Sequence, residues 1–265
     1  WRFTPPRSIV LGEGALEHLK DGEGKRALIV TDKVVTKLGF VAKVASYLKE
    51  AGMEVEVFDE VEPDPSIETV MKGAELAREY GPDWFVGLGG GSCMDAAKAI
   101  WILYERPDKE VEAILPLETL GLRKKARLIC IATTSGTGAE ATWVLVITDT
   151  KEMKKLELAS REVVPDIAVV DPELPKSMPP KLTADTGLDA LTHAIEAYTN
   201  QGKNDYSDAV AIKAIQIIFK YLPRAYKNPE DKEAKSKMHN AATMAGLAFA
   251  NSAPCPGAAH SMGHS

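Results

Sequence analysis

Residues 82–105 read PDWFVGLGGGSCMDAAKAIWILYE, and the stretch changes character twice. Trp84 to Leu88 is an apolar run of strand length. Gly89, Gly90 and Gly91 follow, and from Ser92 onward the apolar residues recur at helical spacing. A buried strand that passes through glycines into a helix is one unit of a parallel α/β sheet. Glycines let the backbone approach a phosphate closely, and a helix N-terminus offers free N–H groups and a partial positive charge. The spacing is not G-x-G-x-x-G, so the usual dinucleotide fingerprint is absent. A tight turn in which Ser92 and Asp95 form a capping box remains open.

The same alternation extends in both directions. RALIVTD (26–32), MEVEVFD (53–59), ARLICIATT (126–134), ATWVLVIT (141–148) and PDIAVVD (165–171) read as strands. KLGFVAKVASYLKEAG (37–52) and SIETVMKGAELAREYG (66–81) read as amphipathic helices, with Ser66 as N-cap. After DPELPKSMPP (171–180) the strand signals stop, and three long helical patterns fill residues 181–251. The expected architecture is an α/β domain with a parallel sheet over residues 1–178. An all-helical domain then occupies 179–265.

The 265 residues suffice for a large buried core, and a net charge of −6 without a basic stripe argues against a nucleic-acid partner. The three cysteines are scattered and form no C-x-x-C pair, which suits reduced thiols and a cytoplasmic protein. No apolar run reaches membrane-spanning length.

Other stretches carry possible chemistry. Asp32 ends the first of these strands, where a carboxylate can accept hydrogen bonds from a ribose and repel a 2′-phosphate, or simply cap a helix. ATTSGTGAEAT (132–142) follows a strand with Thr133, Thr134, Ser135 and Thr137, a polar wall or a plain turn. Asp189 and His193 lie four apart in DTGLDALTHAIEAY (185–198). One helix face would bring them together, as metal ligands or as a solvated pair, with Asp185 continuing the stripe. His260 and His264 repeat that spacing, but no H-E-x-x-H is present. His239 stands alone in a helix and reads as structural or exposed.

The order GGGSCMDAAK, TTSGTGAE, DTGLDALTHAIEAY, MAGLAFAN, HSMGH resembles the iron-containing (group III) alcohol dehydrogenases, and the likeness runs from FTPPRSIVLGEGAL to the last residue. The resemblance implies a metal-dependent oxidoreductase that moves a hydride between a small primary alcohol or aldehyde and NAD or NADP. It implies that the first domain binds the dinucleotide, and that Fe2+, with zinc as the other candidate, sits in the cleft between that domain and the helical one. By position, Gly90, Gly91 and Ser92 match the pyrophosphate loop, and Thr133, Thr134 and Thr137 the cofactor wall. Lys155 matches a cofactor-contacting lysine, and Asp32 a position that favours NAD. Asp189, His193 and His260 match metal ligands, while His264 and Asp95 are the candidate catalytic residues. A homo-oligomer is expected, as is a fourth ligand beyond the present end. The chain therefore reads as truncated, and a form that binds dinucleotide without a complete metal site is the alternative. Ala132 stands where the family usually has Pro, and Pro254 and Pro256 stand in the approach to His260.

Overall fold

A computed structural model describes residues 3–116, 118–252 and 257–263. Its centre is a six-stranded sheet: β1 (Ser8–Leu11), β2 (Arg26–Val30), β3 (Glu54–Phe58), β4 (Trp84–Gly89), β5 (Arg127–Ala132) and β8 (Ile167–Val170). The spatial order is β1-β8-β5-β4-β2-β3, and every pairing is parallel. Strand β4 is buried along its whole length, as a strand covered on both faces must be.

The helices divide between the two faces. α1 (Lys33–Lys37) and α2 (Phe40–Glu50) connect β2 to β3, and α2 packs with the buried side of Ala27, Ile29, Val86 and Leu88. α3 (Ile67–Tyr80) and α4 (Gly91–Glu105) cover the other face with Leu28, Phe85 and Leu128. The chain leaves β2 to one side of the sheet and β4 to the other. A crevice opens at the carboxyl ends of those two strands, where α/β proteins bind their ligands.

Two local expectations need correction. The helix expected over 37–52 starts later, at Phe40, because Gly39 (φ 82°) separates α2 from α1, which lies before the expected span and shares only Lys37 with it. β6 (Val144–Asp149), expected among the parallel strands, pairs instead antiparallel with β7 (Lys154–Ala159) in a separate hairpin. Alternate residues of β6 are buried, and Leu145 and Ile147 pack into the α4 core. Strand β7 begins with two lysines and alternates weakly, which hides it in the sequence.

The last part of the described chain is helical: α5 (Pro180–Thr199), α6 (Asp205–Lys227), α7 (Lys232–Ser252) and the short α8 (Ala258–Gly263). α5, α6 and α7 meet through small residues, among them Ala190, Ala194, Ala214, Ala241 and Ala245, which let the helices approach closely. This bundle docks on the sheet region at the TTSGTGAE loop. A methyl on Gly138 would lie 2.6 Å from the Ala242 carbonyl, and one on Gly246 would lie 2.7 Å from the Gly138 carbonyl. The contact is therefore backbone on backbone. Beside it Thr243 Oγ1 donates to Glu140 Oε1 at 2.6 Å, and Trp143 Nε1 donates to the Ala250 carbonyl at 2.6 Å.

Candidate active site

Helix α4 starts at Gly91 with Gly90 as N-cap, and no side chain caps it. Its first N–H groups therefore lack the acceptor that most helices provide, at the carboxyl end of a central strand. Ser92 lies inside the first turn, so the Ser92–Asp95 capping box does not form. The TTSGTGAE loop is held against the glycine turn: Thr133 N–H donates to the Gly89 carbonyl at 2.9 Å, and a methyl on Gly91 would sit 3.0 Å from Thr137 Cγ2. Gly91, Ser92, Asp95, Thr137 and Lys155 all line one cleft of about 310 Å³. Gly90, Thr133 and Thr134 are not among the cleft's lining residues; a methyl on Gly90 would lie 3.5 Å from Thr134 Oγ1, and Thr133 is buried.

Asp32 takes the capping role that was one of its two readings. Its Oδ1 accepts from the N–H groups of Val34 and Val35 at 2.7 and 2.8 Å. Its Oδ2 lies 3.3 Å from Cys93 Sγ, which places it at the crevice beside α4. Burial, aided by the Asp32 charge, pushes the Cys93 thiol far above its usual range, so it stays protonated. Lys155 Nζ pairs with Asp64 Oδ1 at 2.9 Å, and both line the cleft.

Asp95 is engaged on both oxygens. Oδ2 accepts the Val146 N–H at 3.0 Å and Oδ1 faces Lys98 Nζ at 3.4 Å. Burial raises its carboxyl above the usual range, against the pull of Lys98. Lys98 is fully buried and also donates to Thr142 Oγ1 at 3.1 Å and to the Val144 carbonyl at 2.8 Å. This arrangement suits bracing the β6 hairpin against α4 more than exchanging a proton.

The second end of the cleft is built from side chains. Asp189, His193 and Glu196 recur along one face of α5, and α8 brings His260 to them. Asp189, His193 and His260 each offer one donor atom, and these atoms lie within 4.8 Å of one another. His193 Nδ1 and His260 Nε2 stand 3.7 and 3.6 Å from Asp189 Oδ1. The two imidazole centroids are 4.3 Å apart, and Phe249 of α7 packs 4.9 and 5.1 Å from them. A carboxylate and two imidazoles converging in a half-buried pocket fit a divalent transition metal. The Asp189 carboxylate, opposed by burial and seconded by Glu196, raises His260 above the ordinary histidine range.

His264, the second candidate catalytic residue, lies outside the described residues, as do Pro254, Cys255 and Pro256. Asp185 is not part of the cluster; it pairs at the surface with Lys181 Nζ at 2.6 Å. His239 is structural: it is buried, with Nδ1 3.1 Å from Ser135 Oγ, and burial pushes it down to about 4.

Sequence reasoning missed Glu196, Lys98 and Phe249. Glu196 was reachable, because it continues the Asp189–His193 stripe at helical spacing. Its carboxylate accepts from His260 Nδ1 at 2.7 Å and from the N–H groups of Gly257, Ala259 and His260. Burial raises its carboxyl, but these hydrogen bonds outweigh it and hold Glu196 below the usual range. Phe249 gave no signal, since its place depends on the crossing of α7 over α5.

Comparison with known proteins agrees along nearly the whole chain. A family described as iron-containing alcohol dehydrogenase matches residues 6–172, and its C-terminal family, Fe-containing alcohol dehydrogenase family, C-terminal, matches residues 183–265. The chain is 51% identical over 265 residues to the NADPH-dependent butanol dehydrogenase of Clostridium saccharobutylicum, covering 99% of this chain and 67% of that protein. It is 44% identical over 278 residues to the bifunctional aldehyde-alcohol dehydrogenase of Escherichia coli K12, covering 98% of this chain and 30% of that one. The solved alcohol dehydrogenase of Oenococcus oeni superposes with a TM-score of 0.92 at 32% identity, covering 100% of this chain and 70% of that one. The chain thus spans about two thirds of the butanol dehydrogenase and under a third of the bifunctional protein. Matched over both its sheet region and its helical region, the chain belongs to the iron-containing alcohol dehydrogenase family.

Proposed function

We propose that this chain carries the catalytic cleft of an NAD(P)-linked, metal-dependent oxidoreductase that interconverts small primary alcohols and aldehydes. The observation that carries it is one cleft with the bare N-terminus of α4 at one end and the Asp189, His193 and His260 donors at the other. The N–H groups at Gly91 and Ser92 would bind the dinucleotide's pyrophosphate, with Gly90, Thr133 and Thr134 shaping the turn from below. Asp32 would lie beside the adenosine ribose, where its charge disfavours a 2′-phosphate and so favours NAD. Thr137 and Lys155 would complete the cofactor wall. Asp189, His193 and His260 would hold Fe2+, a set of donors that zinc also accepts. A divalent metal there supplies Lewis acidity toward the substrate oxygen, and the nicotinamide supplies the hydride chemistry.

The chain's own part is placement. Phe249 covers the imidazoles and keeps water from one side of the pocket. Asp95 and Lys98 fix the β6 hairpin that forms the cofactor side of the cleft. His264, four residues beyond His260 in the sequence, remains the candidate for substrate contact or proton relay. We place the boundary between a cofactor domain and a metal domain at residues 178/179, where strands give way to helices. We also propose a homo-oligomer, supported by exposed Ile212, Phe219 and Tyr226, which recur every seventh residue on α6. The buried free thiols of Cys93 and Cys130 support a reducing, cytoplasmic setting.

The test is metal analysis with NAD(P)-linked oxidation of primary alcohols, in the wild-type chain and in Asp189→Ala and His193→Ala. Both variants are expected to lose metal and turnover and to keep dinucleotide binding. Unchanged metal content in either variant would remove the site.

A further inference from the structure

We infer that Glu196 is a positioning residue that sets the place and ring orientation of His260, and that residue 257 is glycine to make room for it. This rests on the metal-site reading above. Glu196 Oε2 is 2.7 Å from His260 Nδ1 and 2.8 Å from Gly257 N. Oε1 is 3.0 Å from Ala259 N and 3.2 Å from His260 N. A carboxylate has about four lone-pair directions, and these contacts use them. Glu196 therefore has no oxygen to spare as a ligand itself. Asp189, by contrast, keeps 35% of its side-chain exposure toward the cleft, and Glu196 keeps 10%.

Two consequences follow for His260. The first concerns α8, a helix of 6 residues. A helix that short does not hold itself together, and its first N–H groups have no acceptor of their own. Glu196 supplies that acceptor from α5, so the element that carries His260 is fastened to the element that carries Asp189 and His193. The second concerns the ring. With Nδ1 donating to Glu196, the imidazole turns Nε2 toward Asp189, which is the orientation a shared cation needs.

Gly257 shows how tight the arrangement is. A methyl there would lie 2.5 Å from Glu196 Cδ and 2.7 and 2.8 Å from its two oxygens. Any other residue at 257 pushes the carboxylate away from His260. Glu196→Gln keeps the side chain's shape, yet in either orientation its amide sets an NH2 group against N–H donors.

The experiment uses the full chain, stripped of metal and titrated with Co2+ while its visible absorption is followed. Dinucleotide binding by fluorescence serves as the folding control. Glu196→Gln and Gly257→Ala are each expected to bind Co2+ about 10–100-fold more weakly. Each is expected to show an altered Co2+ spectrum at saturation, with dinucleotide binding unchanged. Wild-type affinity in both variants would overturn the inference and leave the metal site standing. Weakened binding with a wild-type spectrum at saturation would also overturn it, because Glu196 would then only hold α8. A wild-type chain that takes up no Co2+ would refute the metal site and this inference together.

Discussion

The two ends of the cleft are made in opposite ways. The proposed pyrophosphate site at one end is a continuous piece of chain, the β4–glycine–α4 crossing, and it offers mostly backbone N–H groups. The proposed metal end is a meeting of side chains from α5 and α8, with Glu196 fastening one helix to the other. A site made of backbone is present as soon as its strand and helix pack. A site made of side chains on separate helices exists only while those helices hold their crossing. The first should therefore tolerate changes in the helical bundle, and the second should not.

The sharpest way to separate the two ends is Gly91→Val. Its side chain would fill the approach above the first turn of α4, where a single methyl already lies 3.0 Å from Thr137. Dinucleotide affinity should fall at least about tenfold, the equivalent of one lost hydrogen bond to a charged group at about 1.5–3 kcal/mol. Metal content should not change. A variant that loses both would show that the ends are one unit.

Gly138→Ala tests the seam between the sheet region and the helical bundle. Gly138 has φ 61°, and an added methyl would lie 2.8 Å from Gly246 Cα. Overpacking and left-handed strain together should cost about 2–4 kcal/mol, read as a lower urea midpoint. Metal affinity should fall more than dinucleotide affinity. Equal losses would contradict the contrast between the ends.

The effect that is smallest at neutral pH concerns His239, buried at the same seam. Its pKa falls from the ordinary value near 6.5 to about 4 on folding, chiefly through burial. The unfolded chain then binds the extra proton first. The contribution is intact above about pH 6.5 and is lost as pH falls toward 4, by about 1.4 kcal/mol per pH unit. His239→Gln should flatten that part of the stability–pH curve. An identical curve in the variant would mean that His239 is not held neutral.

The same contrast explains what the sequence could tell. The parallel sheet, the glycine turn and the three long helices follow from periodicity and punctuation, which are local properties. That Asp189 and His193 meet was legible because they share one helix face. His260 needed the family likeness, and Glu196 went unassigned although it lay on the same stripe. Strand β7 was missed because its partner decides it: KKLELA becomes a strand by pairing with β6. Phe249 and the Gly138–Gly246 contact depend on how α7 crosses the loop, and spacing along one chain does not encode a crossing.

Trp143 has a role in modularity. Its indole N–H reaches the Ala250 carbonyl, Asn204 Nδ2 donates to the Asn251 carbonyl at 3.0 Å, and Ser252 Oγ donates to the Phe249 carbonyl at 3.0 Å. Helix α7 thus borrows part of its C-terminal closure from a residue of the sheet region. A designer who cut the chain between strands and helices would leave that buried carbonyl without its donor, at about 1–3 kcal/mol. The two halves are separable on paper as modules, but the end of one helix is finished by the other half.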